Sequence, residues 1–432
     1  MVHRGGFMAK RMGMTQQNDK VPANGTGDES AETYIFALSA MTTLFFMWGF
    51  LTALNDILIP HLKGEFDLSY TQAMLIQFCF FGAYFIVSPF AGKLVEKIGY
   101  RKGIVVGLLV MAFGCVLFYP AADFKIYAMF LVALFILAGG ITVLQVSANP
   151  YVAVLGPPRM AASRLNLSQA INSLGHTLGP IFGASLILAG AVGAEAVQLP
   201  YLMLAGITVI VASAFFFLRL PVIREVEDAE SAAYTTDSIL NHKPLLFGIL
   251  AIFLYVGAEV SIGGFLVNYF TMEGIGGLSE ESAGRMVSYY WGAAMIGRFF
   301  GAALMRYVQP TAMLAFNGLA AIVLIMVTIT SGGALAMWSI LAVGFFNSIM
   351  FPTVFTLAIG GLGPLTGQGS GFLCQAIVGG AVLPMLQGAA ADAIGIQLSF
   401  AVPAFCYAYI IWYALKGSRL DDVSPHVAEE AV

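Results

Sequence analysis

Long apolar segments, separated by short polar connections, occupy almost the whole chain. Apolar runs of about 17–25 residues are long enough to cross a bilayer as helices. The pattern therefore predicts twelve membrane-spanning helices, at residues 35–59, 70–92, 103–120, 126–154, 164–190, 199–219, 244–270, 284–305, 311–331, 335–360, 368–391 and 396–415. Pro150 lies inside the fourth segment, where we expect it to kink the helix or to end its regular hydrogen bonding.

Composition places the chain among all-α polytopic membrane proteins. Of its 432 residues, 59% are hydrophobic and 10% are charged, against roughly 25% charged in soluble domains. The four cysteines lie in apolar runs without metal-ligand spacing, so we expect small buried side chains rather than disulfides or a zinc site. The sequence contains no nucleotide-binding loop, catalytic constellation or metal-ligand cluster, which argues against an enzyme, a nucleic-acid partner or a resident cofactor.

The basic residues predict the orientation of the spans. With a cytoplasmic amino terminus, only Lys63, Lys125 and Arg285, three of the 20 lysines and arginines, fall on outer loops. This bias obeys the positive-inside rule. We therefore expect a multi-pass protein of the plasma membrane with both termini in the cytoplasm.

The longest polar connection after the first 33 residues divides the chain into two sets of six spans. Weak internal symmetry supports the division, since "FMWGFLTALND" in the first span is echoed by "LYVGAEVSIGG" in the seventh, 208 residues later. Two parallel six-helix halves, with a substrate site between them near the bilayer midplane, are typical of secondary transporters. The predicted units are a disordered cytoplasmic tail (1–33), an N-terminal half (34–219), a cytoplasmic linker (220–243), a C-terminal half (244–416) and a cytoplasmic tail (417–432).

The loop between the second and third spans reads "GKLVEKIGYRK", from Gly92 to Lys102. Its order of glycine, leucine, acid, base, glycine and further bases resembles the signature motif of the major facilitator superfamily, although an ordinary basic loop would also fit. Glycines allow close helix approach or a turn, and an acid can pair with a base across the two halves. The resemblance implies a gating role for Gly92, Glu96, Lys97, Gly99, Arg101 and, in the symmetric copy on the eighth span, Arg298.

Segments from both halves narrow this resemblance to the fucose/glucose/galactose branch of the superfamily. They are "FLTALNDILIPHLKGEFDLSYTQAMLIQFCFFGAYF", "LQVSANPYVAVLG", "RLNLSQAINSLG", "YVGAEVSIGGFLVNYF" and "FFNSIMFPTVFTLAIGGLG". The resemblance implies a monomeric carrier of a bacterial inner membrane that imports a neutral hexose or amino sugar together with a cation. The alternatives are an exporter of drug-like or lipid substrates, which predicts fewer amides, and a membrane sugar sensor, which requires a signalling domain.

Amide side chains inside the spans independently favour a sugar, because amides match hydroxyls that both donate and accept hydrogen bonds. Gln145 and Asn149 share one face of the fourth span, and Gln169, Asn172 and His176 form a stripe on the fifth. Amides can also bond neighbouring helices, and a neutral His176 bonded to a carbonyl is expected. The predicted substrate-binding residues are Asn55, Gln77, Gln145, Asn149, Gln169, Asn172, Asn268, Trp291, Asn347 and Gln375, with Trp48, Tyr84, Tyr289 and Tyr290 available for stacking.

Two carboxylates inside apolar spans are candidates for ion coupling. Asp56 is the only charge between Tyr34 and Pro60, and Glu259 is the only charge between Pro244 and Phe270. A charge at the bilayer centre costs at least ~2.5–3.5 kcal/mol, so such residues usually face a cavity, a partner or an ion.

In fucose-type members of the branch, the position of Gln145 is a glutamate that works with the aspartate of the first span in proton coupling. This chain has an amide there, so a relay of two carboxylates through positions 56 and 145 is excluded. Three alternatives remain: Asp56 alone binds the proton, Glu259 shares this role, or Na⁺ binds near Asp56. Asp392, also alone among apolar residues, is interpreted as part of an outer turn.

Overall fold

A computed structural model describes residues 27–67, 70–183, 194–218, 220–221 and 239–419 of the chain. Within these ranges the chain forms helices and short connections, and no strand. In the N-terminal half the helices are α1 (Gly27–Glu65), α2 (Tyr70–Ile98), α3 (Tyr100–Phe124), α4 (Tyr127–Val154), α5 (Ala161–Gly183) and α6 (Gln198–Phe217). Asn55 and Asp56 belong to α1, but their side chains lie outside the described part.

The C-terminal half contains six more helices, three of which are interrupted. They are α7 (Lys243–Phe270), α8 (Glu280–Leu304), α9 (Pro310–Thr330), α10 (Gly333–Asn347 and Met350–Ile359), α11 (Thr366–Gln375 and Gly379–Ile394) and α12 (Ile396–Ser399 and Ala401–Leu415). Over the described ranges, these helices match the twelve predicted spans, which confirms the all-α class. Asp392 is part of the last turn of α11 and is exposed, so the predicted outer turn begins slightly later.

Prolines explain one interruption and leave another helix continuous. Pro352 cannot donate to the carbonyl of Ser348, and α10 breaks at residues 348–349. In α4 the helix instead continues through Pro150 to Val154. Pro150 therefore removes one hydrogen bond, the one to the carbonyl of Val146, while the helix itself goes on. The expected kink stays a prediction.

Ten of the helices are apolar and long enough, by composition, to cross a membrane. The exceptions are α5 and α8, over the residues described. On α5, the side chains of one face are polar and buried: Ser163, Asn166, Gln169, Asn172 and Ser173. On α8, Arg298 is largely buried, whereas Arg285 is exposed. These two helices pack against each other, so the polar face of α5 and Arg298 of α8 are directed toward protein rather than lipid.

The two halves meet along two seams. One joins α2 to α11, and the other joins α5 to α8 and α10. At the end of the bundle that carries the basic α2–α3 loop, here called the basic end, Glu96 accepts a hydrogen bond from Gln368 at 2.6 Å. Contacts continue inward along the second seam as far as Thr177, whose hydroxyl lies 3.9 Å from the sulfur of Met295. The described residues therefore close the basic end.

Glycines bring α3 and α4 into close contact within the N-terminal half. A Cβ added at Gly107 would lie 2.7 Å from the backbone nitrogen of Leu144 and 3.0 Å from the carbonyl of Gly140. Small residues are the usual means of close packing between membrane helices. Because both obstacles are backbone atoms, a larger residue at position 107 requires the two helices to move apart.

We expect Gly107→Ala to destabilise the protein by about 1–3 kcal/mol through this overlap. The measurement is the melting temperature of purified protein in detergent. Gly206→Ala is the matched control, because a Cβ there would meet nothing within 4 Å. Equal melting temperatures for the two variants would contradict the proposed tight packing.

Candidate functional site

Arg298 of α8 lies where three helices of the C-terminal half meet α5. Its Nη2 is 3.5 Å from Oε1 of Glu259 on α7, and the two side chains are only 13% and 12% exposed. Its Nε donates to the carbonyl of Ser348 in α10 at 3.1 Å, and its Nη1 donates to the hydroxyl of Ser173 in α5. One guanidinium thus joins four helices and links the two halves.

The break in α10 supports this ion pair. Pro352 leaves the carbonyl of Ser348 without its helical donor, and Arg298 supplies the donor from a neighbouring helix. A buried ion pair is tolerated only when further hydrogen bonds satisfy its remaining polar atoms. The sequence shows Glu259 as a lone charge and Arg298 as part of a gating motif, whereas the structure brings them together.

A second polar cluster lies beside this pair, inside the C-terminal half. Asn347 is fully buried, and its Nδ2 donates to the hydroxyl of Tyr290 at 2.6 Å and to that of Tyr407 at 3.3 Å. The Tyr290 hydroxyl donates to the backbone carbonyl of Glu259 at 3.4 Å. Asn347 therefore holds α8, α10 and α12 together, and this supports a packing role for an amide that was predicted to bind substrate.

The amides of the N-terminal half are buried along α4 and α5. Gln145 donates to the hydroxyl of Tyr84 at 2.6 Å, and Asn172 donates to the carbonyl of Phe45 at 2.8 Å. Gln169 is 7% exposed and Asn149 is completely buried. The stripes predicted from sequence are thus interior, and two of their members already bond protein groups.

Asn149 differs from its neighbours because neither of its polar side-chain atoms has a hydrogen-bond partner among the described residues. The same holds for the hydroxyl of Ser88 on α2. A buried polar group without a partner costs about 1–3 kcal/mol. Asn149 is one helical turn from Gln145, so water or a hydroxylated ligand beside this stripe would satisfy it.

The remaining predicted substrate residues are dispersed. Gln77 is partly buried on α2, and Asn268 is exposed on α7. Trp291 packs over Gly263, one turn beyond Glu259, with a ring atom 3.0 Å from where a Cβ at Gly263 would lie. Gln375 donates to the carbonyl of Phe85 at 3.1 Å, which places it in the α2–α11 seam.

Of the aromatic residues predicted to stack on a sugar, three are buried and one is exposed. Tyr84 and Tyr290 are buried and hold Gln145 and Asn347, as described above, and Trp48 is 3% exposed. Tyr289 is 58% exposed. Asn55 and Asp56 lie outside the described side chains, so their predicted roles, including a Na⁺ site near Asp56, stay predictions.

The predicted gating residues lie at the closed basic end. A Cβ at Gly92 would be 2.9 Å from the carbonyl of Gly367, so α2 and α11 are in close contact there. Gly99 has a φ of 82°, a left-handed conformation that favours glycine, at the turn between α2 and α3. Arg101 donates to the carbonyl of Leu218 at 3.2 Å, and Lys97 is exposed.

Sequence reasoning missed the partners of these residues. Gln368, which bonds Glu96, and Ser173, which bonds Arg298, lie on helices remote in the chain. Ser173 adjoins the polar stripe of α5, which could have indicated it. Among the described residues, no group of three or more histidines, cysteines, aspartates or glutamates is placed to hold a metal ion.

The family model, the relatives in sequence and the similar solved structures all point to the same superfamily of transporters. The sequence matches the family model "Major Facilitator Superfamily" over residues 36–373. It is 56% identical over 408 residues to the glucose/galactose transporter of Brucella abortus, covering 92% of this chain and 99% of that protein. It is 33% identical over 410 residues to the L-fucose-proton symporter of Escherichia coli, covering 89% and 93%. Among solved structures, a Major Facilitator Superfamily transporter, FucP, in the outward conformation, has a TM-score of 0.80 at 33% identity, with 89% and 99% covered.

We expect Glu259→Gln to destabilise the protein strongly, by about 3–5 kcal/mol, because it leaves Arg298 buried without its charge partner. The double variant Glu259→Gln with Arg298→Gln should melt at a higher temperature than Glu259→Gln alone, since no unpaired charge then remains. Thermal melting in detergent measures both effects.

The exposed pair Lys125–Glu195, 3.9 Å apart with side chains 58% and 61% exposed, provides the control. Lys125→Gln should change the melting temperature little, because solvent screens such pairs. The buried-pair interpretation is wrong if Glu259→Gln melts at the same temperature as Lys125→Gln.

Proposed function

Because this chain belongs to the Major Facilitator Superfamily, we propose that it imports a neutral monosaccharide by cation-coupled symport. The loaded carrier would alternate between states open to one side of the membrane or the other. The curated relative at 56% identity is named a glucose/galactose transporter, which supports glucose- or galactose-like hexoses as substrates.

The observation that carries this proposal is the set of buried neutral amides between the helices of the N-terminal half. Gln145, Asn149, Gln169 and Asn172 are each less than 9% exposed, and Asn149 has no partner among the described residues. Neutral donors and acceptors suit sugar hydroxyls, whereas a lipid or drug exporter would need a more apolar cavity.

We assign ion coupling to Asp56 rather than to Glu259. Arg298 occupies one side of the Glu259 carboxylate at 3.5 Å, where it would compete with any bound cation. Gln145 is uncharged, so position 145 offers no second carboxylate. The coupling ion is H⁺ or Na⁺. The name of the E. coli relative, an L-fucose-proton symporter, supports H⁺.

The basic end would face the cytoplasm, in accordance with the positive-inside rule, with both termini on that side of the plasma membrane. The closed basic end would then correspond to an outward-facing carrier. The solved relative with a TM-score of 0.80 is described as being in the outward conformation, which agrees with this assignment.

Uptake of labelled sugars into proteoliposomes tests the proposal. We expect glucose or galactose to accumulate above the external concentration when an inward H⁺ or Na⁺ gradient is imposed separately. An ionophore that collapses the active gradient should abolish accumulation. Absence of gradient-driven uptake across a panel of hexoses and amino sugars would contradict the proposed function.

Asp56→Asn should abolish uphill accumulation while sparing sugar exchange between equal concentrations. The reason is that an amide cannot take up a proton or provide a full negative charge for Na⁺, yet it can still bond a sugar hydroxyl. Asp392→Asn, which removes an exposed charge from the end of α11, should leave both activities unchanged. Uphill uptake by Asp56→Asn would disprove the coupling role.

A further inference from the structure

Prolines in the N-terminal half create free hydrogen-bond acceptors inside the membrane. Proline has no backbone N–H, so the carbonyl four residues earlier loses its helical donor. In α4, Pro150 frees the carbonyl of Val146 in this way, and in α2, Pro89 frees that of Phe85. Within a bilayer such carbonyls must find other donors.

Both donors come from α11, in the other half of the protein. Ser370 Oγ donates to the carbonyl of Val146 at 3.0 Å, and Gln375 Nε2 donates to that of Phe85 at 3.1 Å. Ser370 is completely buried, so its bond lies in the interior of the seam. The freed carbonyls therefore act as points of attachment between the halves.

The other seam contains a related bond. Ser163 of α5 donates to the carbonyl of Ala302 at 2.6 Å. Ala302 lies in the last turn of α8, where carbonyls lack intrahelical donors. In all three of these described bonds between the halves, the side chain donates to a backbone carbonyl that lacks a donor within the helix to which the carbonyl belongs.

The helices approach closely enough to exclude water from this region. A Cβ at Gly371 would lie 2.8 Å from the carbonyl of Ser88 and 3.1 Å from the Cα of Gly92. This contact is adjacent to Ser370 in the chain. The Ser370–Val146 bond is therefore flanked by backbone-to-backbone packing of α2 on α11.

We propose that Pro150 and Pro89 keep two carbonyls available as acceptors, so that Ser370 and Gln375 latch the basic end closed. These residues would position the halves and set the balance between the two access states, without touching substrate. The importance of these residues for transport rests on the proposed alternation between access states. The hydrogen bonds do not depend on that proposal.

The hydrogen bond of Ser370 stabilises the closed state more than the open state, because water can replace it only when the halves separate. In the closed seam, Ser370 donates to the Val146 carbonyl in place of the N–H that Pro150 lacks. When the halves separate at the basic end, water can enter and bond the carbonyl. Loss of the Ser370 hydroxyl therefore penalises the closed state and leaves the open state unaffected.

Spin-label distance measurements on the full chain test the latch without any sugar. Labels at Arg159→Cys and Tyr307→Cys, both exposed at the basic end and in different halves, report its opening. The four native cysteines are replaced by alanine. We expect Ser370→Ala or Gln375→Ala to raise the ratio of open to closed molecules about three- to fivefold, the usual effect of one such bond.

The decisive test combines Ser370→Ala with Pro150→Ala. Alanine at position 150 restores the helical N–H, so the Val146 carbonyl no longer needs an external donor. The opening caused by Ser370→Ala should then disappear in the Pro150→Ala background. Gln375→Ala combined with Pro89→Ala forms a second, independent double-mutant cycle for the Phe85 carbonyl. It tests the same proposal if the Pro150 variant does not fold.

Pro120→Ala is the matched control, because Pro120 lies inside α3 of the same half and frees the carbonyl of Val116, an exposed residue away from both seams. It should leave the effect of Ser370→Ala unchanged. The latch is disproved if Ser370→Ala does not shift the distances, or if its shift persists unchanged with Pro150→Ala. Failure of sugar uptake alone would count against the proposed function and not against the latch.

Discussion

A polar group that the protein carries into the membrane needs a partner other than lipid, and the structure depends on this constraint. Lipid offers neither donors nor acceptors. Arg298 illustrates the consequence, because its charge and N–H groups are matched by Glu259, the freed carbonyl of Ser348 and the hydroxyl of Ser173. Satisfying one guanidinium brings α5, α7, α8 and α10 together.

The same constraint explains why the polar helices are central. Over the described residues, α5 and α8 are less apolar than the other ten helices, and they pack on each other across the two halves. Their hydrogen bonds are numerous but individually weak, at well under ~2 kcal/mol each in membrane proteins. A seam built from such bonds can hold one state and still open, as an alternating carrier requires.

Hydrogen bonding within the protein also distinguishes amides with a structural role from amides that are available to a substrate. Asn347 is used between Tyr290 and Tyr407, and Gln375 is used in the α2–α11 seam. Asn149 has no described partner, and it lies on the same face of α4 as Gln145. The binding region is therefore better sought along α4 and α5 than among the amides of the C-terminal half.

Much of this protein follows from its sequence, because bilayer thickness and hydrophobicity determine how many helices form and where they begin and end. The twelve spans, the division into two halves and the buried stripes on α4 and α5 were all predictable, as was the family. The motif at Gly92–Lys102 also indicated where the two halves would meet.

Only the tertiary structure decided which polar groups pair. Glu259 and Arg298, or Ser370 and Val146, are far apart in the chain, and neither hydropathy nor helical spacing relates residues of different helices. The prolines show the limit clearly. Sequence predicts that Pro150 removes a hydrogen bond from α4, but the donor that replaces it comes from α11, and its identity depends on how the two halves pack.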